Sequence, residues 1–444
     1  MLYTWDEVER PAINDARTDH RLAHLEALEL DDDDTWFSVL IKLEDTSITA
    51  FLDSLPPDLA QMVHVPSLYD AADRAEEPPF QYVSAFARAD ALDVLSEADN
   101  PHGVSALRLG GLVEGGVERD ALFEAMPETE VDDQTVVMAV IDDAIALGHN
   151  LFSSDLCQTR IKSALVMDAR QGGPGASARG RVLSQAKLNS LLAECTTAGL
   201  LDEAKFYRLT GQIDHATTVF SPLSANRSHG THVTALAAGY PRDAAPDTRP
   251  ILCATLPGSV TRDVSGQSLL PDLVYALKFI SRQGIRIRNA QGPVPLVCNF
   301  SYGSYGGPHD GTGDVEQVLE HFATSAPRQE RRVILPAGNS YDKDIHARLT
   351  FDGIQGQSRT VTLDVPAADR SAGHVQFWLP VQPSAEPAGV PTLQITLPSG
   401  QVSPPFEARP GATQKLRDAM GPVVAQLSYA YERAPPPRGV ITLT

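Results

Sequence analysis

Basic residues are scarce in this chain. Of its 444 residues, 36 are Lys or Arg and 57 are Asp or Glu, giving a formal net charge of −21. A surface of that sign repels phosphate backbones and anionic lipid, so nucleic-acid and anionic-membrane partners are set aside. Long apolar runs are missing too. No stretch of about 20 apolar residues occurs, so no transmembrane helix is expected. The opening residues, MLYTWDEVERPAIND, lack the basic start and apolar middle of a secretory signal. Cysteine is sparse: Cys157, Cys195, Cys253 and Cys298 are scattered, without a CxxC pair. Cys253 and Cys298 sit in apolar, strand-like runs and read as small core residues. A cytoplasmic, reducing location is the expectation, with export by another route left open. Internal repeats are lacking as well.

What is present suffices for a folded core. The chain is 42% hydrophobic and 21% charged, as in ordinary globular proteins. Its length suggests about three domains. Residues 1–30 are charged and partly helical in pattern, and an acidic run, Asp31 to Asp34, follows. TWFSVLIKLED reads as a strand, TSITAFLDSL as a helix with Thr46 or Ser47 as N-cap, FQYVSAFAR as a strand, ADALDVLSEAD as a helix and GVSALRLGG as a strand. This order predicts a small α+β domain over 1–112, with a polar linker at 113–133.

From 134 to 348 the pattern alternates. VVMAVIDD is a continuous apolar run ending in two aspartates, as a buried parallel strand should be. Helical patterns follow at LSQAKLNSLLAECTTAG, LDEAKFYRLTG and VTALAAG. RPILCATLP, VPLVCNFSYG and RRVILPAGN then read as strands, separated by the helices LLPDLVYALKFISRQG and DVEQVLEHFATSA. The prediction is an α/β fold with a doubly wound parallel sheet, its functional groups at the carboxyl ends of the strands. Asp142, Ser301 and Asn339 fall there. Beyond 349, TVTLDVP, HVQFWLPV, TLQITLPSG, VVAQLSYAYE and GVITLT read as short strands of an all-β unit, with a short turn near TQKLRDAM.

The chemistry centres on NRSHGTHVTALAAG. A zinc pair on a helix is usually spaced i, i+4, with a glutamate beside it. His229 and His232 are three apart with Gly-Thr between, so a zinc motif fits poorly. Gly230 and the small residues after it let a helix start pack closely against another backbone, as a buried catalytic base requires. Asp142 could bind Mg²⁺ like the paired acids of a phospho-receiver, or could orient a histidine. Asn339, in a small-residue turn after an apolar strand, could be a turn former or an amide donor to an oxyanion. The backbone of Ser301, Tyr302 and Gly303 could pair with an extended peptide.

Together, VIDDA, HGTHVTALAAG, NFSYG and LPAGN resemble the motifs of the subtilisin-like serine proteases over about residues 134–348. The resemblance implies a subtilisin-type doubly wound sheet, with Asp142 orienting His229, His229 as general base and then acid, and Asn339 stabilising the oxyanion. Ser301, Tyr302 and Gly303 would line the cleft for a polypeptide substrate, and His232 would pack or hydrogen-bond. Asp143 and Ala144 stand where the family usually has Thr-Gly or Ser-Gly. Residues 1–112 are similar in layout to the family's propeptide, which chaperones and inhibits. Residues 349–444 resemble the jelly-roll insert of one subgroup. No cofactor or metal is expected; calcium is common in the family, but no ligands are assignable.

The family's nucleophile sits in a Gly-Thr-Ser-x-Ala segment, and none occurs in this sequence. Ser304, in GSYGG, precedes the asparagine and lies in the substrate strand. The sequence therefore implies a serine supplied by a continuation or a second chain, with these residues inactive alone. The rival reading is a pseudoprotease that binds peptides or regulates.

Overall fold

The computed structural model describes residues 3–9, 36–97, 100–113, 117, 123–167, 176–177, 179–213, 221–246, 248–261, 266, 268–326, 328–352, 356–365, 373–380, 391–409, 412–418, 423–432 and 438–443. A seven-stranded sheet forms its middle. Five strands run parallel in the spatial order Ile161–Val166, Ile251–Thr255, Val137–Asp142, Leu296–Phe300 and Arg331–Ile334. Gly180–Ser184 and Ala176–Ser177 add an antiparallel hairpin at one edge.

The central strand alternates between two cores, as a pleat must. Val137, Ala139 and Ile141 pack into a cluster with the helices Leu270–Gly284 and Asp314–Thr324. Val140 packs into the opposite cluster, with Met138 against it, beneath the helices Gln185–Cys195, Glu203–Thr210 and His229–Ala238. The connections that follow Val137–Asp142 lead to the strands at 161 and 251 on one side. Those after 296 lead to the other side. The direction reverses between the ends of Val137–Asp142 and Leu296–Phe300, where open α/β sheets bind their ligands.

The N-terminal unit is a four-stranded antiparallel sheet in the order Val63–His64, Phe80–Arg88, Trp36–Glu44 and Val104–Val113. Its helix Ile48–Ser54 is capped by Ser47, whose hydroxyl accepts from the Ala50 amide at 3.0 Å. One face of this sheet lies on Leu270–Gly284, which explains why that helix is buried on nearly every side rather than along one stripe. Polar contacts fasten the same boundary. Arg108 pairs with Asp314 at 2.7 Å, the Tyr82 hydroxyl lies within hydrogen-bond distance of both Asp314 and Gln317, and Lys278 pairs with Asp73.

A five-stranded antiparallel sheet forms the C-terminal unit, in the order Tyr3–Glu9, Ala412–Asp418, Val423–Glu432, Arg438–Leu443 and Val375–Pro380. It grips the glycine-rich segment after Gly303. The Gly307 amide donates to Gln376 Oε1 at 2.9 Å, and buried Arg438 holds Asp310 at 3.1 Å while lying over the Trp378 ring.

Several elements depart from the sequence reading. Residues 3–9 form a strand, not a helix, because Ala412–Asp418 pairs with them along its whole length. The remainder of residues 1–30 and the run from Asp31 to Asp34 lie outside the described residues. TQKLRDAM, expected as a turn, supplies that same strand Ala412–Asp418, held between two neighbours. TVTLDVP forms no strand within 361–365, where every residue is exposed. Ile161–Val166 was not anticipated, because Lys162 and Ser163 interrupt its apolar run. Among the described residues no helix is long and apolar enough to cross a membrane. Cys253 and Cys298 are fully buried, and burial pushes both thiols up to about 12.

Candidate active site

Asp142 ends the central strand and is 4% exposed. Its position is fixed from the backbone outward, since Leu256 N–H donates to its carbonyl at 2.8 Å. Its Oδ1 accepts from the Asp143 amide at 2.8 Å and lies 2.7 Å from His229 Nδ1. These two side chains are 87 positions apart in sequence and in direct contact in the fold.

The contact depends on how the helix His229–Ala238 begins. Ser228, extended at φ −165°, is the N-cap and accepts from the Thr231 amide at 2.9 Å. Its hydroxyl also bonds the Ala144 carbonyl, and Thr231 Oγ1 accepts from Ala146 N–H at 2.8 Å. Asp143 Oδ1 accepts from Gly230 N–H at 2.5 Å. The loop after the strand is thus sutured to the first helical turn. Gly230 makes this approach possible, because a Cβ there would lie 2.8 Å from the Asp143 carbonyl oxygen. Asp143, Ser228 and Thr231 escaped the sequence reading as site residues. The signal was available for Ser228, a serine directly before the small-residue helix.

The electrostatics follow from burial and pairing. Burial raises the Asp142 carboxyl above its ordinary value, even against the hydrogen bond and charge of His229 and the Asp143 amide. For His229, burial opposes protonation, but the Asp142 hydrogen bond and charge, with the Asp143 charge, outweigh it and raise the ring above its ordinary value. The imidazolium is therefore favoured in the fold. Its stabilising contribution is complete below about pH 6.5, the ordinary histidine value, and is lost as pH rises through the folded value. In an NMR titration the His229 ring should show a midpoint above 6.5, and Asp142→Asn should lower it. A midpoint unchanged by that substitution would rule out the pairing in solution.

The His229 side chain is 57% exposed, so a reactant can reach it. Ser301 follows Leu296–Phe300; the pairing of Phe300 with Ile141 places Ser301 level with Asp142. Its hydroxyl accepts from Asn299 Nδ2 at 2.8 Å. Tyr302 stacks on Phe300 with ring centroids 6.2 Å apart. Gly303 is exposed, and a Cβ there would meet nothing within 4 Å. Asn339 lies exposed in the bend after Arg331–Ile334 and makes no hydrogen bond among the described residues. The structure thus joins Asp142 to His229, sets Ser301 beside them in register, and leaves Asn339 free of that pair. His232 is exposed on the helix. Among the described residues, Asp142, Asp143 and His229 form the one group whose ligand atoms could converge on a metal ion.

No protein-family model matches this chain, and no curated protein matches it. Among solved structures it is similar to the CspB protease of Clostridium perfringens, with a TM-score of 0.42 and 16% sequence identity. That match covers 70% of this chain and 56% of the other, so the chain spans a little over half of that protein's length.

Proposed function

We propose that this chain carries the aspartate–histidine half of a subtilisin-like serine endopeptidase site. The observation that carries the reading is the 2.7 Å contact between His229 Nδ1 and Asp142 Oδ1 at the switch point of the parallel sheet. A buried carboxylate on one ring nitrogen fixes the tautomer and favours the imidazolium, which a base accepting a hydroxyl proton requires. In the complete enzyme a serine Oγ attacks the peptide carbonyl while His229 takes its proton. His229 returns that proton to the leaving amine, and water then releases the acyl group by the same exchange. Ser301, Tyr302 and Gly303 hold the substrate backbone, and Asn339 moves in to donate to the oxyanion.

On this reading the serine comes from a continuation or a second chain. Exposed apolar side chains on the histidine helix and after the edge strand support that. Leu236, on the histidine helix, is 77% exposed. Along the segment after the edge strand Arg331–Ile334, Leu335, Ile345, Phe351 and Val365 are each more than half exposed. Exposed apolar side chains of this size mark contact sites where they adjoin one another. The four-stranded unit within residues 36–113 takes the place of the prodomain, and the C-terminal sheet, which Tyr3–Glu9 joins, that of the jelly-roll insert.

The chain of residues 1–444 alone should show no turnover of a casein-type substrate. Read from its native locus, the coding sequence should continue in frame to a Gly-Thr-Ser segment, or a partner gene should supply one. The assembled protein should take a fluorophosphonate label that His229→Ala abolishes. A stop directly after residue 444 with no partner gene would leave the peptide-binding pseudoprotease instead. Robust cleavage by residues 1–444, lost in His229→Ala, would place an unrecognised nucleophile within them.

A further inference from the structure

We propose that Asp142, Asp143 and His229 form a binding site for a divalent transition cation, with zinc the best match. The residue that distinguishes this site is Asp143. Orienting an imidazole takes one carboxylate, and here a second stands beside it. One carboxylate oxygen from each aspartate and one ring nitrogen of His229 all lie within 4.8 Å of one another. Ligand atoms about 2.0–2.1 Å from a tetrahedral zinc ion stand roughly 3.4 Å apart, so side-chain movements of about 1.5 Å or less complete the site.

A second observation is independent of that clustering. Asp142 is 4% exposed, and its Oδ2 is buried without a hydrogen-bond partner. A carboxylate oxygen stripped of water and given no donor is costly. A cation drawn to the carboxylate removes that cost. Once the ring gives up its proton, as ligation requires, two carboxylates and a neutral imidazole carry two negative charges, which one dication balances.

The donor set selects the ion. One imidazole nitrogen with two carboxylate oxygens suits zinc and its neighbours, whereas calcium requires six to eight oxygens and magnesium an oxygen-rich octahedron. Three protein ligands leave a fourth position for water, and the half-exposed His229 ring gives the ion a path in. The Gly230 amide on Asp143 Oδ1 orients that carboxylate from behind, as outer-shell donors do for metal ligands. The site does not depend on peptidase chemistry. Where both hold, the ion and the serine compete for the same imidazole, and a bound cation keeps the protease idle.

The test is a titration of residues 1–444 with Zn²⁺ by calorimetry and with Co²⁺ by visible absorption. One ion should bind per chain, with Co²⁺ bands of a four-coordinate nitrogen–oxygen site. Asp143→Asn should weaken Zn²⁺ binding at least tenfold, and His229→Ala should abolish the Co²⁺ bands. His232→Ala should leave both unchanged. Zn²⁺ should also shift the His229 ring resonances of the native chain and not those of Asp143→Asn, whose fold circular dichroism checks. No binding at millimolar metal, or binding equally tight in Asp143→Asn, overturns the proposal. Absence of a downstream serine would defeat the peptidase reading and leave this titration untouched.

Discussion

Replacing Asp272 by alanine should lower folding stability by about 3–5 kcal/mol, the loss typical of breaking one partner out of a buried ion pair. Asp272 sits in the first turn of Leu270–Gly284, between the central sheet and the N-terminal sheet, and is 3% exposed. Its partner is Arg179, 6% exposed, on the hairpin turn that precedes Gly180. Gly180 adopts φ 122°, and a Cβ there would fall 2.1 Å from the Val166 carbonyl oxygen, so the turn is pinned where Arg179 must point inward. The guanidinium also donates to Ser38 Oγ at 2.7 Å and to the Ala85 carbonyl at 3.2 Å, and it lies over the rings of Phe86 and Tyr275. Both hydrogen-bond acceptors belong to the N-terminal unit. Burial pushes the Asp272 carboxyl above its ordinary value against the pull of Arg179, so the pair is held at a desolvation cost. Alanine at 272 would leave a cation in an apolar joint with no anion. The double replacement Arg179→Met with Asp272→Leu should recover most of the loss, because two apolar side chains incur no such cost. Urea denaturation of the three variants decides it. A single-variant loss under about 1 kcal/mol would mean that the pair is hydrated or unformed in solution.

How much of this was legible beforehand depended on whether local pattern or tertiary pairing decided each element. Val137–Asp142, Ile251–Thr255 and Leu296–Phe300 are continuous apolar runs because both faces are buried, and such runs declare themselves. The helix Asp314–Thr324 shows a one-sided stripe, with Val318, Leu319 and Phe322 inward. Ile161–Val166 hid because Lys162 keeps its nitrogen at the periphery, on Gln185 Oε1, while the backbone fills the sheet. Tyr3–Glu9 and Ala412–Asp418 carry too little apolar pattern to name each other across some 400 positions; only their ladder makes them strands. At the site, Asp142 and His229 were readable because each ends or begins an element whose period is plain. Asp143 was not, since its role comes from the Gly230 amide, a backbone donor that sequence does not show. The Arg179–Asp272 joint was invisible for another reason: an aspartate in the first turn of a helix is common for its effect on the helix dipole alone, and nothing in the sequence links it to Arg179.

On the proposed peptidase reading, Asp142→Asn in the assembled enzyme should reduce kcat by about 10⁴-fold with little change in KM. The side chain is nearly isosteric, so the strand end, the Asp143 amide contact and the seam to Ser228 and Thr231 should persist. What changes is the group facing His229 Nδ1. An aspartate oxygen accepts a hydrogen bond from the Nδ1–H, which keeps the proton on Nδ1 and leaves Nε2 as the base. An asparagine amide can present its donor instead, which places the proton on Nε2 and removes the base. The charge that stabilises the imidazolium is lost at the same time, and Asp143, tied to Gly230 N–H, contributes only at longer range. The two effects act on the transition state and not on peptide binding, which the proposed function assigns to Ser301, Tyr302 and Gly303. A purely structural role for Asp142 predicts a different pattern: loss of Tm together with kcat, and a His229 titration midpoint that does not move. Equal kcat in the variant and the parent would show that Asp142 does not serve the histidine, and the protease reading would fall with it.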